Sequence, residues 1–266
     1  MATPVSTAHA RPVAPRRLID IEAILMLCER DIVRFFRERA QLYGSLARTV
    51  VWLFVLGAGL RGSITIPGNT SYLAYVFPGM LAMAIIFASF QSAISVIFDR
   101  EFGFLKEILV APIPRSSIVV GKALSGATIA TVQGIIIFLF APLAGVHLTP
   151  FSVFACILVM LLSGLGLTAI GLCFAARMTS FEGFGTVNNF IILPLYFASG
   201  AQFPLDRAPQ WMQTLALLNP LAYSVDLLRG LLIGIWTFPP LLDLVVLILF
   251  AVVSLAVATW SFTSQE

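Results

Sequence analysis

Two long stretches of the chain, residues 62–98 and 123–176, contain no Asp, Glu, Lys or Arg. About 20 apolar residues already form a helix that crosses a bilayer, so these stretches are too long to be ordinary core helices. Shorter apolar runs flank them on both sides. Together these runs predict an all-α membrane protein with six transmembrane helices. The predicted spans are residues 42–60, 72–98, 117–145, 151–176, 184–200 and 240–262.

A charged segment, residues 99–115, separates the two long runs and is therefore expected at a membrane surface. Apolar residues recur within it at helical spacing from Phe102 to Leu109, and charged residues lie between them. Pro112 and Pro114 then end the helix, because proline lacks the N–H and restricts the residue before it. The pattern fits either a solvated turn between two spans or a short amphipathic helix on which a soluble partner docks.

Residues 17–40 have the pattern of an amphipathic helix that does not cross the membrane. So basic a helix beside a first span favours a position at the membrane interface, with Arg30, Arg34 and Arg37 facing lipid headgroups. A plain surface helix is the alternative. The predicted apolar stripe consists of Leu18, Ile21, Leu25, Cys28, Ile32 and Phe35 or Phe36.

Between the last two predicted spans, residues 202–238 mix Pro, Asp, Asn and Arg with apolar residues. Asn219 is a good N-cap and Pro220 a good first helical residue, so a helix is expected to begin there. Asp226 and Arg229 lie three residues apart on that helix, where they can pair. Two short re-entrant helices that enter the membrane from one side fit this segment better than a full span.

Small residues occur at two places where helices in lipid are expected to approach closely. Gly126, Ala130 and Gly134 repeat at four-residue spacing in the third predicted span. Gly57 and Gly59 lie near the end of the first span. Both sets predict close helix packing.

Composition agrees with a polytopic membrane protein. Of the 266 residues, 59% are hydrophobic and 11% are charged, whereas about a quarter of a soluble domain is charged. Residues 1–16, rich in Ala, Pro, Thr and Arg, predict a disordered cytosolic tail that precedes the helix at 17–40 and a transmembrane domain at 41–266. The net charge of +3 does not indicate nucleic acid, because membrane proteins collect Lys and Arg on the cytosolic side.

The placement of Lys and Arg also predicts the orientation. With six spans, thirteen of the 16 Lys and Arg residues lie on the side of the N-terminus. The other three are Arg61, Arg207 and Arg229. Both termini and the charged segment at 99–115 are therefore expected in the cytosol, and residues 202–238 on the outer side.

The chain lacks the sequence patterns of the common catalytic sites. Gly121-Lys122 is followed by Ala123, so it is not a phosphate-binding loop. The three cysteines are far apart, which predicts neither a metal site nor a disulfide framework. Asp226 and Asp243 do not lie deep in a span, which disfavours an intramembrane protease. We predict no catalytic residue, no metal and no bound cofactor, and expect any energy source on a separate chain.

Two motifs, one in the charged segment and one in the irregular segment, carry a resemblance that covers nearly the whole chain. The first is Arg100-Glu101-Phe102-Gly103-Phe104-Leu105-Lys106-Glu107 with Leu109-Val110-Ala111-Pro112-Ile113-Pro114. The second is Phe203-Pro204-Leu205-Asp206 before Leu218-Asn219-Pro220-Leu221-Ala222-Tyr223-Ser224-Val225-Asp226-Leu227-Leu228-Arg229-Gly230. With these motifs the chain resembles the type-two ABC exporter permeases. That group includes daunorubicin-type drug exporters, nodulation lipo-oligosaccharide exporters, and O-antigen and teichoic acid exporters.

The resemblance implies the membrane subunit of an exporter. It implies a second permease chain, expected to be identical, and two ATPase subunits that bind ATP and Mg. Residues 100–107 would match the cytosolic coupling helix seated in the ATPase, and residues 17–40 the interfacial connecting helix. Residues 202–235 would match the paired re-entrant helices. The two copies would pack mainly through spans one and five.

The spans are rich in Phe, Leu, Ile and Val, and we expect almost no charge buried among them. Such a lining favours an amphiphilic, drug-like or lipid-like substrate, although it equally suits contact with membrane lipid. Export of a lipo-oligosaccharide or polysaccharide is the alternative. A channel or structural membrane protein that does not use ATP is the competing class.

Overall fold

The computed structural model of the chain describes residues 20–59, 71–102, 113–178 and 180–264. Within these ranges the chain forms α-helices and short 3-10 turns, and no strand. The predicted tail at 1–16 lies outside the described residues. The helices are α1 (Ile21–Arg37), α2 (Arg39–Gly59), α3 (Tyr72–Glu101), α4 (Arg115–Ile137), α5 (Pro150–Arg177), α6 (Phe181–Phe197), α7 (Gln210–Leu218), α8 (Pro220–Ile233) and α9 (Pro240–Thr263).

Four of the described helices, α3, α4, α5 and α9, are long and apolar enough to cross a membrane. The predicted re-entrant segment forms two helices, α7 and α8, which meet at a bend of 90° and add a fifth crossing if they count as one broken span. Helices α2 and α6, where the first and fifth spans are predicted, are not among the four. The structure therefore confirms an all-α membrane protein, and the number of six spans stays a prediction.

Helix α3 is the centre of the bundle. In its most apolar stretch 67% of the helix is buried inside the protein, compared with 28% for α9. It packs against α4, α5 and α8, and α5 also packs along α4 and α9. Helix α9 consequently leaves most of its apolar surface for lipid.

The predicted stripe of small residues on α4 lies at the contact with α5. A Cβ added at Gly126 would lie 2.5 Å from Cγ2 of Thr168, and one at Gly134 would collide with Met160. Ala130 is completely buried between them. Close packing of these two helices therefore depends on the absence of larger side chains at the three positions.

Helix α1 packs along α4 on a face that only partly coincides with the predicted stripe, of which Cys28 and Phe35 are buried. Ile21 and Leu25, members of the predicted stripe, are 70% and 60% exposed. The rest of the buried face lies beside the stripe, because α1 has two neighbouring apolar faces and only one of them meets α4. The exposed face suits the predicted position at the membrane interface. The buried residues of α1 are Ala23, Ile24, Leu27, Cys28, Asp31 and Phe35.

The start of α1 is fixed to the first turn of α4. The backbone N–H of Asp20 donates to Oγ of Ser117 at 2.7 Å, and the Asp20 side chain caps α1 by accepting from Glu22 and Ala23. This attachment places Asp31, three turns further along α1, against the second turn of α4.

Candidate functional site

Four charged side chains from three helices meet where α1 lies on α3 and α4. Nζ of Lys122 in α4 lies 2.7 Å from Oδ2 of Asp99 in α3 and 3.4 Å from Oδ2 of Asp31 in α1. Nη2 of Arg30 lies 2.8 Å from Oδ1 of Asp31 and 3.0 Å from Oδ2 of Asp99. We call Arg30, Asp31, Asp99 and Lys122 the charge cluster. Its two positive and two negative groups balance.

The charge cluster is buried. Lys122 is only 2% exposed, and the Asp31 and Asp99 side chains 5% and 6%. Hydroxyl groups complete the hydrogen bonding, because Nζ of Lys122 donates to Ser95 at 3.0 Å and Ser125 lies 3.4 Å from Asp31. Removing one member of a buried ion pair typically costs about 3–5 kcal/mol, since it leaves the other charge without a partner. The cluster therefore holds α1, α3 and α4 in one arrangement.

Arg30 is the member nearest to solvent, with 31% of its side chain exposed. Burial alone would lower its pKa, but the carboxylates of Asp31 and Asp99 raise the pKa above its ordinary value. Arg30 thus remains charged and keeps both bonds.

The sequence analysis missed this cluster and misassigned one of its members. Arg30 was expected to face lipid headgroups, whereas its guanidinium bonds two buried carboxylates. The expectation of almost no buried charge is likewise wrong for Asp31, Asp99 and Lys122. The sequence does contain a signal for the pair of Asp99 and Lys122. Asp99 directly follows one uncharged run, Lys122 directly precedes the other, and the two side chains carry opposite charges.

Beside the charge cluster, Phe98 joins α1, α3 and α6. Its ring centroid lies 4.3 Å from that of Phe181 in α6 and 6.2 Å from that of Phe102, with which it stacks. Arg34 of α1 places its guanidinium carbon 5.2 Å from the centre of the Phe98 ring and pairs with Glu38 at 3.0 Å. Arg34 thus makes contacts inside the protein, whereas Arg37 is exposed and its contact with lipid headgroups stays a prediction.

Arg100 binds the end of α5. Its Nη1 donates to the carbonyl of Met178 at 3.0 Å and its Nη2 to that of Ala176 at 2.7 Å. The sequence predicts that Arg100 belongs to a helix that binds a partner. In the structure its terminal nitrogens instead bond two carbonyl groups of the chain itself.

The residues that follow Arg100 begin the predicted coupling helix. Glu101 is exposed, and Phe102 is 78% exposed despite its stacking on Phe98. The remaining members, Gly103, Phe104, Leu105, Lys106 and Glu107, lie outside the described residues. The chain is described again from Ile113, and Arg115 then donates to the carbonyl of Phe262 in the last turn of α9 at 3.1 Å. Both flanks of the segment are thus bound to the helix bundle.

At the opposite end of the bundle, Asn219 caps α8 as predicted. Its Oδ1 accepts from the N–H of Leu221 at 3.0 Å, and Pro220 occupies the first helical position. Its Nδ2 donates to the carbonyl of Leu195 in α6 at 2.6 Å. The bend between α7 and α8 is therefore fixed to α6.

The predicted pairing of Asp226 with Arg229 is replaced by contacts with other parts of the chain. Asp226 accepts from the backbone N–H groups of Thr237 and Phe238 at 2.9–3.0 Å. Arg229 donates to the carbonyl of Gly200 at 2.7 Å, and its guanidinium carbon lies 4.0 Å from the centre of the Tyr75 ring. Both side chains are 2% exposed. They fasten α8 to the neighbouring loop and to α3.

The family described as ABC-2 type transporter matches residues 22–233. This range contains the whole charge cluster, the charged segment and the two bent helices. The chain belongs to the ABC-2 type transporter family.

Individual relatives of this ABC-2 chain agree with that assignment. The putative transport permease ycf38 of Cyanophora paradoxa is 31% identical over 215 residues, 79% of this chain and 74% of the relative. Nodulation protein J of Rhizobium leguminosarum bv. viciae is 31% identical over 222 residues, 83% and 85% of the two chains. The inner membrane transport permease YadH of Escherichia coli (strain K12) is 27% identical over 250 residues, 91% and 95%.

ABC-2 permeases are the membrane subunits of transporters and work with ABC ATPase partners. The present ABC-2 chain is accordingly a multi-pass transport permease. Its described residues contain no group of three or more His, Cys, Asp or Glu side chains placed to hold a metal ion.

The glycines predicted to pack a second copy lie at the end of α2. A Cβ added at Gly59 would meet no atom within 4 Å among the described residues of the ABC-2 chain. Gly57 lies in the same turn, and its surroundings are outside the described part. Packing of two copies through these glycines stays a prediction.

Proposed function

We propose that this ABC-2 permease is the membrane-spanning subunit of an ATP-driven exporter that moves an amphiphilic, drug-like or lipid-like molecule out of the cell. It works in the plasma membrane, the inner membrane in bacteria, with both termini in the cytosol. Two permease chains, expected to be identical, join two ATPase subunits. ATP and Mg bind only to the ATPase.

The observation that carries the proposal is the charge cluster at the flanks of the charged segment. Asp99 is the first residue of that segment, and Lys122 lies two turns into α4, which begins at the last residue of the segment. Their contact at 2.7 Å brings the two flanks together, and Asp31 joins α1 to both. A displacement of the charged segment is therefore passed to α1, α3 and α4 together. Such a connection is what an ATPase needs in order to move membrane helices.

The exposed part of the same segment supports a docking role. Phe102 leaves most of its ring uncovered next to the exposed carboxylate of Glu101. Aromatic anchors of this kind often carry most of the binding energy of a protein interface. In this proposal Phe102 and Leu105 fill a cleft of the ATPase, and Glu101, Lys106 and Glu107 orient the helix.

An amphiphilic substrate is favoured by the apolar character of the exposed helix faces. On α6, Phe190 is 77% exposed and Leu193 and Phe197 about 40%. Similarity to proteins named Nodulation protein J favours the second candidate, export of a lipo-oligosaccharide or polysaccharide.

The proposal is tested by co-purification with the ATPase encoded beside this permease, recognised by its Gly-x-x-x-x-Gly-Lys-Ser/Thr motif. The complex in nanodiscs is expected to hydrolyse ATP faster when amphiphilic drugs or lipids are added. Stimulation by lipo-oligosaccharides alone would select the second candidate. Failure of the two proteins to form a complex would favour a channel or structural protein and contradict the proposal.

A further inference from the structure

Asp243 is a buried carboxyl group that accepts no hydrogen bond from the part of the chain that the structure describes. It lies in the first turn of α9, its side chain is completely inaccessible, and neither oxygen has a hydrogen-bond partner among the described residues. An ionised carboxylate without water or a partner is so costly that such a group takes up a proton instead.

The nearest ionisable group is a second carboxyl, that of Asp226 in α8. It accepts from the backbone N–H groups of Thr237 and Phe238, directly before α9, and this contact places it beside Asp243 in the first turn of that helix. Two ionised carboxylates can only accept hydrogen bonds, so no bond forms between them unless one carries a proton. A proton on one of the two carboxyls thus explains both why Asp243 needs no other donor and why Asp226 can lie close to it.

The contacts of Asp226 show which carboxyl keeps its charge. Its two oxygens already accept three backbone hydrogen bonds, from Thr237 and Phe238, and such bonds favour the ionised form. Arg229, which acts on Asp226 electrostatically, lies on the same helix and uses Nη2 on Gly200. Asp243 accepts no such bonds.

Two further ionisable groups act on the pair, Tyr75 of α3, which interacts electrostatically with Asp226, and Tyr223 of α8. Tyr223 of α8 is influenced by Asp243 and uses its hydroxyl on the carbonyl of Leu217. Helices α4 and α5 also pack against α9, but their only Asp, Glu, Lys, Arg or His residues are Arg115, Lys122 and Arg177, at the far end of the bundle. They bring no opposite charge to Asp243.

We propose that Asp226 and Asp243 form a single proton-binding site, in which neutral Asp243 donates its O–H to the Asp226 carboxylate. The proton comes from water and returns to it. While it is bound, it joins the start of α9 to α8 and to the loop between them. Loss of the proton places two negative charges together in a buried site and weakens this junction. The site does not depend on the proposed function.

Infrared spectroscopy of the purified full-length protein tests the site directly. At neutral pH the wild type is expected to show the C=O stretching band of a protonated carboxyl, which shifts when aspartate is labelled with carbon-13. Asp243→Asn is expected to remove the band, and Asp206→Asn, the same change at an exposed position, to leave it. Absence of the band from the wild type, or its persistence in Asp243→Asn, would overturn the proposal.

Thermal unfolding at different pH values gives a second measurement. At neutral pH the folded protein holds one more proton than the unfolded chain, so its stability falls as the pH rises and the proton is lost. The melting temperature of the wild type is expected to fall as the pH rises from about 4, where an unfolded aspartate loses its proton, to the pH at which the folded site is deprotonated, and that of Asp243→Asn to fall less. If the melting temperatures of the wild type and of Asp243→Asn change with pH in the same way, the proposal is overturned. If Asp243→Asn fails to fold, the infrared spectrum of the wild type still decides.

Discussion

The ammonium group of Lys122 in α4 lies 2.7 Å from the carboxylate of Asp99 in α3. Asp99 directly follows one uncharged run and Lys122 directly precedes the other. Their contact therefore joins the two flanks of the charged segment. Asp31 adds α1 to the same contact. Helix α1 is thus bound to both flanks of the segment that is proposed to meet the ATPase.

Replacing Lys122 by Met is expected to destabilise the protein by about 3–5 kcal/mol, because Asp31 and Asp99 keep only Arg30 as a partner. Thermal unfolding of the purified protein, followed by tryptophan fluorescence, measures the effect. Lys122→Met combined with Asp99→Asn is expected to cost less than Lys122→Met alone, since the second change removes the unpaired charge.

The control for this pair is Arg39→Met, which removes an exposed positive charge at the start of α2. It is expected to change stability by about 0.5 kcal/mol or less. Equal stability of Lys122→Met and Arg39→Met would show that the charge cluster contributes nothing to the fold.

Arg100→Gln is expected to lower the melting temperature, because the shorter side chain cannot bond the carbonyls of both Ala176 and Met178. Hydrogen bonds from charged groups contribute about 1.5–3 kcal/mol each, and less where they are partly exposed, as here. Glu101→Gln is the matched control, since it changes the exposed neighbouring residue. A melting temperature as high as that of Glu101→Gln would refute the positioning role of Arg100.

The orientation is tested with single cysteines at exposed positions, Gln210→Cys at the start of α7 and Ser264→Cys after α9. In intact cells an impermeant thiol reagent is expected to label Gln210→Cys, and to label Ser264→Cys only after permeabilisation. Labelling of Ser264→Cys in intact cells would reverse the predicted topology.

The native cysteines interfere little with this experiment. Cys28 and Cys156 are buried, and Cys173, which is partly exposed, is replaced by Ala in the background. Burial raises the pKa of the Cys28 thiol, and the charge of Asp31 raises it further. Because the thiolate is the reactive form, Cys28 is expected to label slowly.

Dimerisation through the end of α2 predicts that Gly57→Leu with Gly59→Leu reduces the crosslinked dimer in detergent and leaves membrane insertion unchanged. The larger side chains would prevent the close helix approach that holds helices together in lipid. Gly44→Leu, near the start of the same helix, is the control. An unchanged dimer fraction in the double variant would exclude this surface.

Local sequence patterns predicted the elements better than they predicted the contacts. The long uncharged runs predicted α3, α4 and α5, and the Asn219–Pro220 pair predicted the start of α8, because run length and capping are local properties. The 90° bend before α8 also follows, since Asn219 ends one helix and caps the next.

The contacts could not be predicted because they depend on which faces meet. Helix α1 has two apolar faces, and periodicity could not show that Asp31 lies on the one that packs against α4. Asp226 and Arg229 have suitable spacing for a pair, yet each bonds to backbone groups distant in the sequence. Asp226 and Asp243 approach each other only because the chain turns back after α8.

The central claim is that the charged segment connects this permease to an ATPase, and one double variant tests it most directly. Phe102→Ala with Leu105→Ala removes the proposed anchors, and Phe151→Ala removes an equally exposed Phe from the start of α5 at the other end of the bundle. Each variant is expressed with the ATPase and purified at equal membrane level. The account predicts that the ATPase is lost from the double variant and retained by Phe151→Ala. Full recovery of the ATPase and normal export by the double variant would contradict it.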